Sequence, residues 1–250
     1  MDPHTEKTMG IPVVTADGTM SLHHPGYCEE YHSKFGARAE AEDLYMDASG
    51  FAAHLAASFT PITVLDVGLG LGYNALATVS RWINCRSAPP LNLVSLENNG
   101  ALPSALASGA APWMNGWSED WRTFVQALNR LNDTRWTAAI VHPSTGATLQ
   151  WTIIVGDATT TPFTSLPPVD FVWQDAFSPK RNPEMWTSEW FGRMGAAASP
   201  AAILVTYSVA RLVRDNLTAA DWNCYKIPAG GSKRSWLKAT RTPPISLSTT

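Results

Sequence analysis

The sequence predicts an α/β fold: a mostly parallel sheet with helices on both faces, preceded by a small N-terminal extension. Three observations predict it. From Pro61 onward, short apolar runs alternate with stretches of helical spacing. The first of these runs, 62–66, leads straight into Gly68-Leu69-Gly70-Leu71-Gly72. Three runs end in or beside a carboxylate, namely Asp66, Glu97 and Asp175, at the strand ends where open α/β sheets collect ligands.

Taken in order, residues 1–60 show no long periodic pattern and form the extension. Thr15-Ala16-Asp17-Gly18-Thr19 is a turn signal between two short strands, a β-hairpin. The stretch 31–47 reads as a loop entering a helix, and the whole extension is expected to pack over the core. Residues 61–242 form the main domain. Its expected strands are 62–66, 91–97, 136–141, 148–155, 169–174 and 202–207, with a late antiparallel pair at 222–227 and 235–239. Its expected helices are 72–83 (Leu76, Val79 and Ile83 on one face), 101–108, 117–131, 187–198 and 209–219. Pro143-Ser144-Thr145-Gly146 is the turn of a hairpin. Residues 243–250, rich in Ser, Thr and Pro, are expected to be a frayed tail.

Composition narrows the function classes. At 250 residues, 45% hydrophobic and 16% charged, the chain is long enough for one well-buried domain with an appendage. No apolar run approaches a membrane span, and the polar start is expected to carry no secretion signal. Cys28, Cys85 and Cys224 are too widely spaced for a metal pattern and read as free thiols of a cytoplasmic protein. The six histidines show no metal spacing either. The formal net charge is −3, but it is unevenly spread: residues 1–170 sum to −8 and residues 171–250 to +5. A basic C-terminal third suits contact with phosphates, although scattered surface charge is the plainer reading.

The chemistry sits at the strand ends. Gly68, Gly70 and Gly72 give a turn in which backbone approaches a cofactor closely; a tight structural turn is the alternative. Glu97 ends the neighbouring strand, where an acid accepts hydrogen bonds from both hydroxyls of a ribose. Two details favour S-adenosylmethionine over a nicotinamide dinucleotide. The spacing is GxGxG, not GxGxxG, and Asp66 stands where an acid could hold the cofactor's ammonium group. Asp157 and Ala158, after a third strand, would lie near an adenine. Asp175 is the candidate catalytic residue, a carboxylate able to orient an amine and take its proton, with a helix cap as the structural alternative. Lys180 and Arg181 follow on a proline-stiffened loop and could meet a phosphate backbone, as could Lys233 and Arg234 after two glycines. Most of the 11 tryptophans, such as Trp82 and Trp121, suit a core. Trp186, beside the Asp175 loop, is the one placed to stack on a base.

Several of these segments together resemble a known family. They are Leu65-Asp66-Val67-Gly68-Leu69-Gly70-Leu71-Gly72-Tyr73-Asn74, Ser95-Leu96-Glu97, and the run from Asp175 through Pro179-Lys180-Arg181-Asn182-Pro183 to Trp186-Thr187. Thr206-Tyr207-Ser208, an Arg211- and Arg214-bearing helix, and Gly231-Ser232-Lys233-Arg234 continue the match. The sequence resembles the methyltransferase component of the bacterial tRNA wobble-uridine enzymes of the MnmC family. Its Tyr31-His32-Ser33 stretch is similar to stand-alone members without the flavin oxidase half. The resemblance implies a Rossmann-like methyltransferase fold and methylation of 5-aminomethyl-2-thiouridine at wobble position 34, in the anticodon stem-loop of tRNA. It implies a separate enzyme that supplies the aminomethyl precursor. Carried over, Gly68, Gly70, Asn74 and Glu97 line the cofactor, Asp157 sits by its adenine and Asp175 faces the substrate amine, with Tyr207 on the substrate side. The chain departs from the family pattern at Leu71, at Ser199-Pro200-Ala201-Ala202 and at Ser235-Trp236. A transferase acting on a free amine and a non-catalytic, cofactor-binding RNA module remain as alternatives.

Overall fold

A computed structural model describes residues 9–229 and 235–241. Lys233, Arg234 and the 243–250 tail lie outside the described residues. The extension opens with a three-stranded antiparallel sheet, β1 (Ile11–Val14), β2 (Met20–His24) and β3 (Glu29–Glu30). The β1–β2 connection is the hairpin expected at Asp17-Gly18, pinned by Asp17 Oδ1, which accepts from the Thr19 amide at 2.9 Å. A short helix α1 (Ala37–Glu40) runs directly into a π-helical stretch, Ala41–Ala48, and α2 (Phe51–Ala57) follows.

The main sheet has nine strands. They are β4 (Ile62–Val67), β5 (Leu91–Glu97), β6 (Asn129–Asn132), β7 (Arg135–Val141), β8 (Thr148–Val155), β9 (Val169–Gln174), β10 (Ala198–Thr206), β11 (Asn223–Pro228) and β12 (Ser235–Thr240). Their order is β11-β12-β10-β9-β4-β5-β8-β7-β6. The run β10-β9-β4-β5-β8 is parallel, and both flanks are antiparallel. The helices are α3 (Tyr73–Ile83), α4 (Ala101–Ala107), α5 (Glu119–Gln126), α6 (Ser188–Ala197) and α7 (Arg211–Ala219).

Alternation along the central strands divides the core in two. Val64, Leu93, Phe171, Trp173 and Val205 face a cluster with α3, α4, α5 and the extension helices. Leu65, Val67, Val94, Val172 and Leu204 face a second cluster with α6 and α7. All six residues of β4 are buried, as a strand covered on both faces requires. The expected core tryptophans Trp82 and Trp121 are 0% and 2% exposed.

The extension is fastened to this body by specific bonds. Tyr73 Oη donates to the Met20 carbonyl at 2.9 Å. Arg81 on α3 pairs with Glu42 at 2.8 Å. Lys238 Nζ in β12 donates to the Ser49 carbonyl at 2.8 Å, a cation at a helix C-terminus.

Two sequence expectations need correction. The helix expected over 117–131 is only α5; Ser118 caps its start, accepting from the Trp121 amide at 3.4 Å, and the chain then turns into β6. Asp133 and Thr134 form the turn back into β7, so Asn129–Asn132 is an edge strand. The strand expected at 202–207 starts earlier, because β10 follows α6 with no intervening loop.

Candidate functional site

The strand β4 lies between β5 and β9, so its chain successor and its later neighbour sit on opposite sides. Such a switch in strand order opens a crevice at the carboxyl ends, here those of β4 and β9. The turn after β4 fits that place. Gly68, Gly70 and Gly72 all hold positive φ, at 89°, 52° and 91°. A Cβ on Gly68 would come within 2.9 Å of the Asp175 carbonyl oxygen. The glycine turn and the end of β9 therefore touch, and only glycine permits it. Gly72 has a different role: it starts α3, and a Cβ there would press on Leu106.

Above these strand ends lies a cavity of about 640 Å³. Gly68, Gly70, Glu97, Asp157, Ala158, Asp175 and Tyr207 line it, which brings together residues expected from the sequence to be neighbours. Glu97 Oε2 accepts from the Gly70 amide and Oε1 from the Asn99 amide, each at 2.8 Å. Burial nevertheless pushes the Glu97 carboxyl up to about 7, against the pull of those amides. Asp157 is exposed on the rim and accepts from the Thr159 amide at 2.8 Å.

Asp175 leaves β9 with its amide bonded to the Val67 carbonyl at 3.0 Å. Its Oδ2 accepts from Asn74 Nδ2 at 2.7 Å. Burial first, and then the nearby Glu40 charge, push its carboxyl up to about 8, while Tyr45 and Asn74 pull it down. The buried Tyr45 hydroxyl has no well-formed hydrogen bond. It stands close enough to Asp175 that each raises or lowers the other's proton affinity. Asn74, expected at the cofactor, instead orients Asp175 and is not part of the cavity lining.

Asp66 is not on the cavity wall. It is 0% exposed, with Oδ2 accepting from Ser95 Oγ at 2.7 Å and Oδ1 buried without a partner. Burial pushes its carboxyl up to about 7. Trp186 also departs from expectation. It is fully buried, and its Nε1 donates to the Phe177 carbonyl at 2.8 Å, so it braces the Asp175 loop and offers no face to a base. Tyr207 Oη braces the same loop through the Ala176 carbonyl at 2.9 Å. Lys180 and Arg181 are exposed on the loop and outside the cavity lining.

Sequence reasoning missed the contribution of the extension. Tyr27, Glu29, Tyr31 and Glu40 line the cavity, and Tyr45 lies behind Asp175. Glu29 Oε2 accepts from Ser178 Oγ at 2.8 Å and from its amide at 3.2 Å. Tyr27 stacks on Phe177 with ring centroids 4.3 Å apart, and His24 and Tyr31 pack around the same ring. Tyr31 also lies over Gly70, within 3.2 Å of where a Cβ would be. The clustering of His24, Tyr27 and Tyr31 in sequence was a signal; their partner, more than a hundred residues on, was not.

Residues 122–242 match the model of a family described as S-adenosyl-L-methionine-dependent methyltransferase. Among solved structures, the chain is similar to MnmC2 from Aquifex aeolicus, with a TM-score of 0.73 at 23% identity over 94% of this chain and 71% of that one. The chain has the fold of an S-adenosyl-L-methionine-dependent methyltransferase. In sequence, this methyltransferase-fold chain is 30% identical over 244 residues to the tRNA 5-methylaminomethyl-2-thiouridine biosynthesis bifunctional protein MnmC of Cupriavidus metallidurans, covering 93% of this chain and 34% of that protein. The protein of the same name from Methylibium petroleiphilum is 30% identical over 224 residues, covering 88% and 33%. The chain spans about a third of the length of these curated relatives.

The cavity fits the methyltransferase cofactor. The glycine turn presents bare backbone, and each Glu97 oxygen keeps a lone pair beyond its amide bond for a ribose hydroxyl. Seven acidic residues line the wall against one lysine and no arginine among the described residues, which suits a ligand carrying sulfonium and ammonium charges.

Proposed function

We propose that this chain methylates the aminomethyl nitrogen of 5-aminomethyl-2-thiouridine at wobble position 34 of tRNA, giving 5-methylaminomethyl-2-thiouridine. One observation carries the reading: Asp175, fixed by Asn74 at 2.7 Å, faces an acid-lined cavity beside the glycine turn and Glu97. A wall of that charge favours a cationic acceptor, and a primary alkylamine is mostly cationic at neutral pH. The names of the relatives supply the nucleoside. S-adenosylmethionine, when bound, supplies an already activated methyl group.

The protein's work is then to bind, align and deprotonate. Gly68, Gly70, Glu97, Asp157 and Ala158 hold the cofactor side, and Asp175 holds the acceptor nitrogen and takes its proton. The braces from Tyr207, Trp186 and Glu29 fix the loop that carries Asp175. Lys180 and Arg181, with Lys233 and Arg234, meet the phosphates of the anticodon stem-loop. A separate enzyme supplies the aminomethyl group.

The test is incubation of the purified protein with S-adenosylmethionine and tRNA bearing the aminomethyl wobble nucleoside, followed by nucleoside mass spectrometry. One added methyl on that nucleoside, absent with Asp175→Asn, is the expected result. Methylation of a free amine without tRNA, or no transfer with cofactor bound, would overturn the reading.

A further inference from the structure

The loop after β8, residues 156–161, brings Asp157 and Ala158 to the cavity wall. It curls on itself. The Asp157 carbonyl accepts from the amides of Thr160 and Thr161 at 3.1 and 3.2 Å, and from their hydroxyls at 3.0 and 3.1 Å. The Asp157 carboxylate accepts from the Thr159 amide at 2.8 Å and from its hydroxyl at 2.7 Å. The carbonyls of Ala158, Thr159 and Thr161 converge on one guanidinium, that of Arg193 in α6. Its Nη1 donates to Ala158 at 3.3 Å and to Thr159, and its Nη2 donates to Thr161 at 2.5 Å. The guanidinium lies over the rings of Phe163 and Trp190, 5.1 and 5.7 Å from their centroids, which holds the fork in place. Trp190 is fixed in turn. Its Nε1 donates to Gln174 Oε1 at 3.1 Å, and Gln174 Nε2 donates to the Met185 carbonyl at 2.9 Å. Gln174 ends β9, so the fork stands on the same base as the Asp175 loop.

We propose that Arg193 is a positioning residue for the adenine end of the cofactor: by gathering three carbonyls it fixes the 156–161 loop in the shape that meets the base. This rests on the reading that Asp157 and Ala158 lie by the adenine. Arg193 itself is outside the cavity lining and acts through the loop. A loop already ordered in the free protein has less conformational freedom to lose when the ligand arrives, and affinity rises accordingly. The residue type matters. Arginine presents five donors in a rigid plane and so serves several carbonyls at once, whereas a lysine in its place is a single point of contact on a flexible stem.

The experiment measures by calorimetry the Kd of S-adenosylhomocysteine and of adenosine for wild type, Arg193→Met and Arg193→Lys, with circular dichroism to confirm folding. Methionine keeps an apolar stem against Phe163 and Trp190 and removes all three bonds; lysine keeps the charge without the fork. Arg193→Met should weaken both ligands by the same factor, roughly tenfold, and Arg193→Lys by a smaller common factor. In methyl transfer to aminomethyl tRNA, the KM for S-adenosylmethionine should rise with that loss, while kcat at saturating cofactor stays within about twofold of wild type. If the methionine variant does not fold, the lysine variant decides alone. Unchanged Kd values for both ligands in a folded variant would overturn the proposal and leave the adenine reading of Asp157 and Ala158 standing. A loss for S-adenosylhomocysteine without one for adenosine would overturn both, because the loop would then serve the amino-acid end of the cofactor. A fall in kcat with KM unmoved would also overturn the proposal, since the loop would then act on the reacting centre and not on binding.

Discussion

Burial above all, with the Glu40 charge behind it, holds the proton on Asp175, while Tyr45 and the Asn74 amide help release it. Asn74→Ala should therefore move the acid limb of kcat/KM to higher pH. Turnover at neutral pH should fall about tenfold for each pH unit that the limb moves. A pH–rate profile of the Asn74 variant checks it; an unmoved limb would remove Asn74 from the site. Asp66 makes a separate prediction, about stability. Its folded value of about 7 lies above its ordinary 3.8, so between those values the folded state binds more protons than the unfolded chain. The stabilisation from this group is full below the lower value and is lost as pH rises through the upper one. Glu97 adds the same trend. The urea midpoint of the ligand-free protein should fall between about pH 4 and pH 7, and Asp66→Asn should flatten that fall and raise the midpoint at neutral pH. Asp175 and Glu97 are legible in the sequence as strand-end acids. Asp66 is not, because its place just before the glycines suggests a ligand contact while strand parity points it elsewhere. It shares the face of Val64, beneath Ser95 and Trp151, and that face is core.

The elements show where local pattern suffices and where it fails. The alternation of β4, β5 and β9, the turn at Asp17-Gly18 and the late antiparallel pair can all be read directly, because each is fixed by residues close in sequence. The run 117–131 cannot, since its apolar positions suit one long helix and only pairing with β7 makes its end a strand. Trp186 misleads for a related reason: a tryptophan near a functional loop looks the same whether it faces ligand or braces the loop from behind. The braces themselves are testable. Glu29→Ala removes both bonds to Ser178 while leaving β3 in place. It should speed hydrogen exchange at the Ser178 amide and lower kcat, for a global stability loss of about 1 kcal/mol. Unchanged exchange at Ser178 would show the loop is held without Glu29.

For the whole molecule, charge and cavity divide the labour. The cavity wall is acidic, whereas residues 171–250 sum to +5, a division that, under the proposed function, would draw the tRNA to basic residues outside the cavity and the cationic amine into it. Lys180→Ala should weaken tRNA binding evenly across sequences and flatten its salt dependence by roughly one unit of slope, leaving cofactor affinity unchanged. Anisotropy titrations at several salt concentrations check it, and an unaltered slope would take Lys180 out of the tRNA path. The charge asymmetry can be counted from the sequence; the cavity cannot, because it depends on Glu29 meeting a loop 149 residues away. That distance also sets an order of events during synthesis. The ribosome releases first the segment that closes the site, and releases β9, its loop and Tyr207 long afterwards. A nascent chain halted before residue 169 would carry the lid and the glycine turn but no floor between them. Ligand affinity should therefore arise in a single late step, as β9 slides in beside β4, and growing chains should stay inert towards both cofactor and tRNA until then.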